Sequence, residues 1–162
     1  MTKGKKAKDS EAIMTELVLP QHTNDLGTVF GGMVMSWVDI AAAICAQRHS
    51  GKQVVTASVD AMEFRDPVRL GWILKLMASV NNVWRSSCEV GVKVIAENPR
   101  TGEIFHTASA YVTMVALDSM GRPTAMPPIE PESDDEKRRF EEAQERKVTR
   151  IELKKRRAAK NS

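Results

Sequence analysis

The chain has 162 residues, 42% hydrophobic and 28% charged, a length and composition that suit one core with an extension and exclude wholesale disorder. Its longest apolar run, 33–46, is shorter than the roughly 20 residues that span a bilayer and carries Asp39 in its middle. Its start, Met-Thr-Lys-Gly-Lys-Lys, lacks the apolar stretch of a secretory signal, so a cytoplasmic protein without membrane insertion is expected. The formal net charge of +3 is uneven: residues 1–9 and 132–162 are each net positive, whereas the body between them is net negative. Basic ends of this kind are either solvated tails or contacts for a phosphate-rich ligand, and the acidic body with few aromatics argues against nucleic acid.

Residues 1–10 read as a disordered basic N-terminus. The order Ile-Met-Thr-Glu-Leu-Val-Leu before Pro20 predicts a first strand, followed by a polar loop through Thr28. After Gly31-Gly32, small and apolar residues cover nearly the whole circumference of a helix from Met33 to Ala46, about four turns, so a buried central helix is predicted. A polar turn is expected at 49–52. The stretches 54–64, 73–83, 88–96 and 104–117 then read as strands, separated by Asp66-Pro67, the 83–87 turn and Asn98-Pro99-Arg100-Thr101-Gly102. Cys45 and Cys88 fall inside the helix and a strand with no metal-ligand spacing, so both are expected as free thiols. Four of the seven prolines lie in 121–131, which precludes regular structure there. Ser133 with Glu136 forms a capping-box pattern, and acids at the start with bases at the end match a helix dipole. A charged C-terminal helix is therefore predicted, packing by a thin stripe at Phe140, Ala143, Val148 and Ile151 or else fraying. The whole suggests an α+β domain over 11–130, an antiparallel sheet wrapped around a helix, with a charged helix or tail over 131–162.

Asp39 carries the most chemical information. A carboxylate within Met33-Val34-Met35-Ser36-Trp37-Val38 and Ile40-Ala41-Ala42 is partly desolvated, which favours a stronger base near neutral pH, unless it only completes a structural network. Gly31 and Gly32 precede the helix, where free N–H groups hold a phosphate or an oxyanion, although Gly pairs also serve plain turns. Asn24 in the preceding loop either orients a water or carbonyl or simply makes a turn. Asp39 lies seven residues beyond Gly32, about 10 Å along the helix, so one carbonyl cannot meet both in one chain. If both serve one thioester, a second copy must supply one of them, through a two-fold dimer. Arg85, Ser86 and Ser87, after Trp84, offer a cation and hydroxyls for phosphate or pantetheine, or form an ordinary exposed turn. His22, His49 and His106 lack metal-ligand spacing, and neither a nucleophilic-serine elbow nor a phosphate loop is present.

The run Leu19-Pro20-Gln21-His22-Thr23-Asn24 through Gly27-Thr28-Val29-Phe30-Gly31-Gly32 and on to Ala42 resembles the signature of the hotdog-fold acyl-CoA thioesterases. Val54-Val55-Thr56, Met62-Glu63-Phe64, Arg85-Ser86-Ser87 and Tyr111 to Asp118 extend the resemblance over roughly 12–130. It implies a helix wrapped by a sheet, dimers assembled as trimers of dimers, and hydrolysis of acyl-CoA to a free acid and CoA with neither metal nor cofactor. Asp39 resembles the family's general base or nucleophile, Asn24 its orienting Asn, and Gly32 its oxyanion donor beside Gly31. Thr56, Arg85, Ser86 and Ser87 resemble its CoA-contacting positions. Two departures stand out: Trp84 replaces a frequent Gly, narrowing the CoA groove or stacking on adenine, and Gly71-Trp72 replaces a frequent Gly-Asp. A hotdog dehydratase would need a His near the acid, and none is expected on the helix; a non-catalytic CoA-binding module is the other alternative.

Overall fold

A computed structural model describes residues 3–161. Its elements in chain order are β1 (Ala12–Leu17), α1 (Gly31–Ser50), β2 (Gln53–Val59), β3 (Ile73–Val83), β4 (Ser87–Glu97), β5 (Ile104–Leu117) and α2 (Asp134–Lys160), with short 3-10 turns at Ala7–Asp9 and Pro20–His22. The five strands form one antiparallel sheet in the order β1-β3-β4-β5-β2. Strand alternation sends Leu74, Leu76, Ala78 and Val80 of β3, Val90, Val92 and Val94 of β4, and Ala108, Ala110, Val112 and Met114 of β5 into the core. They meet Val34, Trp37, Val38, Ala41, Ala42, Cys45 and Ala46 of α1. Truncating one of the large members, such as Leu76, to Ala costs about 2–5 kcal/mol. Both cysteines are free and buried, and burial pushes the Cys45 thiol up to about 12. This is the α+β arrangement expected, a curled sheet around a long helix with a charged helix appended.

Three details before α2 depart from expectation. The helix runs past Ala46 through the anticipated turn to Ser50, and Gly51 ends it with φ 67 and an N–H donated to Gln47 O. His49 permits this because its polar ring is satisfied while wholly buried: Nε2 lies 2.8 Å from Pro127 O and Nδ1 lies 3.5 Å from Ser10 Oγ. β2 stops at Val59, short of Phe64, although Asp60 N still donates to Tyr111 O and Arg65 N to Thr107 O. Residues 3–10 are not the disordered tail anticipated. Lys5 exchanges backbone bonds around Ile129, Ala7 and Ser10 are buried, and Lys6 pairs with Glu132 at 2.5 Å. Composition showed only the lysines; the partners that order them come from distant segments, Lys5 meeting the 128–130 backbone and Ser10 Oγ lying 3.5 Å from His49 Nδ1.

α2 begins as anticipated, with Glu136 N donating to Ser133 Oγ at 3.1 Å and Glu136 Oε2 accepting from Ser133 N. Its attachment differs from a thin apolar stripe. Ala143 is fully buried and Phe140 packs on the core, but Val148 and Ile151 are exposed. Polar anchors hold the helix on the outer face of the sheet. Arg146 forks onto Glu89 at 2.7 and 3.1 Å, Arg150 reaches Asp60 at 2.8 Å and Glu89 at 3.2 Å, and Asn82 Nδ2 donates to Phe140 O. Glu89 is 0% exposed and also accepts from Asn81 Nδ2. Burial works against the Arg146 charge, but the Glu89 hydrogen bond and charge outweigh it and hold its pKa above the ordinary value.

Candidate active site

α1 starts without a conventional cap. Phe30 occupies the N-cap position and offers no side-chain acceptor, and the first turn holds no acidic residue. Phe30 O accepts from Met33 N and Val34 N, so the N–H groups of Gly31 and Gly32 face outward at the positive end of the helix dipole. A Cβ at Gly32 would lie 2.5 Å from the Phe30 ring, and one at Gly31 would lie 3.6 Å from the Phe64 ring. The glycines thus let two aromatic side chains close over the helix start.

The loop that delivers this start is built on Asn24. Its Oδ1 accepts from Leu26 N and Thr28 N, its Nδ2 donates to Thr28 Oγ1, and Gly27 turns the chain with φ 71. His22 then pins the loop to the helix: its ring sits edge-on to Trp37 at 5.0 Å, Nδ1 accepts from Leu19 N, and its carbonyl accepts from Phe30 N. In the sequence His22 is marked only by its place in the Leu19-to-Asn24 run and by its lack of metal-ligand spacing. Its anchoring role needs Trp37, a residue on the next element.

Asp39 is half-buried two turns further along α1. Its Oδ1 accepts from Thr56 Oγ1 of β2 at 2.6 Å, a short charge-assisted bond. Thr56 sits at the residue before a bulge in the β2–β5 pairing, and its hydroxyl also lies 3.6 Å from Met114 Sδ. So the structure joins Thr56 to Asp39, where the resemblance implied a contact with CoA. Since α1 is continuous from Gly31 to Ser50, Asp39 and Gly32 remain about 10 Å apart along the axis, and Asn24 makes no bond to Asp39. His49 is on the helix after all, in its last turn, but it is sealed under Pro127 and Ser10.

Arg85, Ser86 and Ser87 occupy the tight β3–β4 turn, closed by Trp84 N donating to Ser87 O. Ala116 N donates to Ser86 O and Met126 N to Arg85 O, whereas the Arg85 guanidinium is exposed with no ion pair among the described residues. Trp84 is held against α2. Its indole N–H donates to Gln144 Oε1 at 2.9 Å, and Lys147 lies 4.3 Å over its ring.

Two cavities, of about 520 and 620 Å3, lie on the outer side of the sheet beneath α2, and neither is lined by Asp39, Gly32 or Arg85. Around Asp39 the chain instead presents open surface. β2 is an edge strand, exposed along most of its length, and beside it Phe30, Met35, Ile40, Val55 and Phe64 are exposed apolar residues. Among the described residues no group of three His, Cys, Asp or Glu could hold a metal ion, and no helix is long and apolar enough to cross a membrane.

A helix cradled by this sheet, with a carboxylate on one side and free N–H groups at its start, defines a thioesterase fold. A family model described as the thioesterase superfamily matches residues 26–103, and the chain belongs to that superfamily. Within it the chain falls with the acyl-CoA hydrolases. It is 42% identical over 129 residues to the acyl-CoA thioester hydrolase YkhA of Bacillus subtilis, covering 80% of this chain and 75% of that one. An apo-hexameric acyl-CoA thioesterase superposes with a TM-score of 0.90 at 41% identity, over 97% of this chain and 98% of the other. An acyl-CoA hydrolase from Staphylococcus aureus, solved with butyryl coenzyme A, coenzyme A and coenzyme A disulfide, gives 0.86 at 37% identity over 98% and 99% of the two chains. Structures of that enzyme also exist with single alanine substitutions of an Asp, an Asn (bound to coenzyme A) and a Thr.

Proposed function

We propose that this chain hydrolyses fatty acyl-CoA to free fatty acid and CoA at a site shared by two copies of itself. The observation that carries the reading is Asp39, oriented by Thr56 at 2.6 Å, on open apolar surface about 10 Å from the nearest free helix-start N–H groups of its own chain. Asp39 takes a proton from water, the water attacks the thioester carbonyl, and the developing oxyanion is met by the partner subunit's Gly32 N–H, with the partner subunit's Asn24 orienting the reactants. Collapse of the intermediate expels the CoA thiolate, which takes up the proton held by Asp39 and restores the base, so CoA enters as substrate and leaves as product, with no separate cofactor. Gly31, with no side chain, lets the acyl group approach the helix start beside the Phe64 ring, and Arg85, Ser86 and Ser87 receive the CoA moiety.

Three facts support this. The Asp, Asn and Thr replaced in the S. aureus enzyme are separated by the same intervals as Asp39, Asn24 and Thr56 here, fifteen residues from Asn to Asp and seventeen from Asp to Thr. The open β2 edge and exposed α1 face are the surface an isologous dimer would cover, and three such dimers make the expected hexamer. Two buried free thiols suit a reducing, cytoplasmic setting. The test is complementation. Asp39→Asn and Asn24→Ala should each lose activity by orders of magnitude while folding normally. Co-refolded in equal amounts, they should recover about a quarter of the wild-type sites, because half the dimers are mixed and each mixed dimer restores one of its two sites. No recovery would refute the shared site, and near-normal turnover by Asp39→Asn would refute the role of Asp39.

A further inference from the structure

The C-terminal helix grips the β3–β4 turn from both sides. Before the turn, Asn82 Nδ2 donates to Phe140 O; after it, Glu89 is forked by Arg146 and reached by Arg150. Within the turn, the Trp84 indole donates to Gln144 at 2.9 Å under the Lys147 ammonium. The residue next to this anchored indole is Arg85, whose guanidinium is exposed and makes no ion pair among the described residues. A long cation of this kind has many rotamers, and the direction it leaves the backbone depends on how firmly its neighbours are held.

We infer that α2 is a brace for substrate binding: Trp84, fixed by Gln144 and Lys147, is a positioning residue that aims Arg85 at the anionic, nucleotide end of CoA. This rests on the reading that residues 85–87 receive CoA. The brace acts on the phosphate-bearing part of the substrate and not on the thioester, because Trp84 and Gln144 lie on the outer side of the sheet and Asp39 on the helix side. It also explains how a helix whose Val148 and Ile151 are exposed is docked by polar anchors converging on one turn. Two cations of α2 flank the Trp84 ring, Lys147 at 4.3 Å and Arg150 at 6.0 Å from its centroid.

The experiment compares acyl-CoA with the same acyl chain on pantetheine, which lacks the nucleotide phosphates, for Gln144→Ala, Trp84→Phe and Gln144→Glu. Loss of one neutral hydrogen bond, about 0.5–1.5 kcal/mol, should raise KM for acyl-CoA roughly two- to tenfold in Gln144→Ala and Trp84→Phe. kcat should stay within about twofold, and KM for acyl-pantetheine should not move. Gln144→Glu keeps an acceptor for the indole and should restore the wild-type KM. An unchanged KM for acyl-CoA in the first two variants, or an equal rise for both substrates, would overturn the brace. Arg85→Ala separates the two readings: if it leaves KM for acyl-CoA untouched, the assignment of the turn to CoA fails, whereas a rise there with no effect at Gln144 removes only the brace.

Discussion

Replacing Thr56 by Val removes the single hydroxyl that the described structure gives Asp39, while the β-branched shape and strand preference of the side chain are kept. The bond is 2.6 Å long and its acceptor is a carboxylate. A hydrogen bond to a charged group contributes about 1.5–3 kcal/mol, and each 1.36 kcal/mol of lost transition-state stabilisation is tenfold in rate. If Thr56 holds the carboxylate where water must be deprotonated, kcat should fall roughly 10- to 150-fold in Thr56→Val, with KM nearly unchanged. Thr56→Ser keeps the donor and loses only a methyl group, so it should remain within about threefold of wild type. The assay is steady-state release of CoA thiol, with circular dichroism to show the sheet intact. Thr56→Val turning over within twofold of wild type, or Thr56→Ser as impaired as Val, would refute the argument.

Two further outcomes follow from buried polar groups. Glu89→Gln leaves two guanidiniums facing a neutral amide at a 0% exposed position, and removing one partner of a buried pair costs about 3–5 kcal/mol, so calorimetry at fixed protein concentration should show a Tm lower by roughly 6–20 °C. The combined Glu89→Leu, Arg146→Leu change should recover part of that loss, since paired apolar side chains remove the desolvation cost. His49 has its pKa lowered below 6.5, chiefly by burial and further by Lys5, against the opposing Pro127 carbonyl and Asp9. Because the unfolded chain binds the proton more readily, the stability from the neutral ring is present above pH 6.5 and is lost as pH falls through the lowered folded value. Thermal melts of wild type should therefore decline between about pH 7.5 and about pH 5 more steeply than those of His49→Gln, a range that starts roughly one unit above the ordinary His value and reaches below it. Equal slopes would show that His49 is not the group responsible.

Local pattern made much of the fold readable. The boundaries of β3 and β5 and the Ser133 cap of α2 follow from alternation, turn residues and a capping box, all interactions within a few residues. The apolar circumference of α1 likewise announced a buried helix, and its rise alone separated Gly32 from Asp39. Where the answer lay in distant partners, the pattern ran out. Thr56 is an ordinary exposed strand residue until β2 sets it against Asp39, and Glu89 is one acid in an alternating strand until α2 lays Arg146 and Arg150 over it. His49 continued the helix past an apparent polar turn because Pro127, 78 residues away, satisfied its ring. By itself the sequence determined the helix, the strands and the candidate residues, because periodicity and capping are local. Only the tertiary structure decided that Thr56 orients Asp39 and that α2 grips the Trp84 turn, because those hydrogen bonds join segments whose meeting depends on how the whole sheet closes.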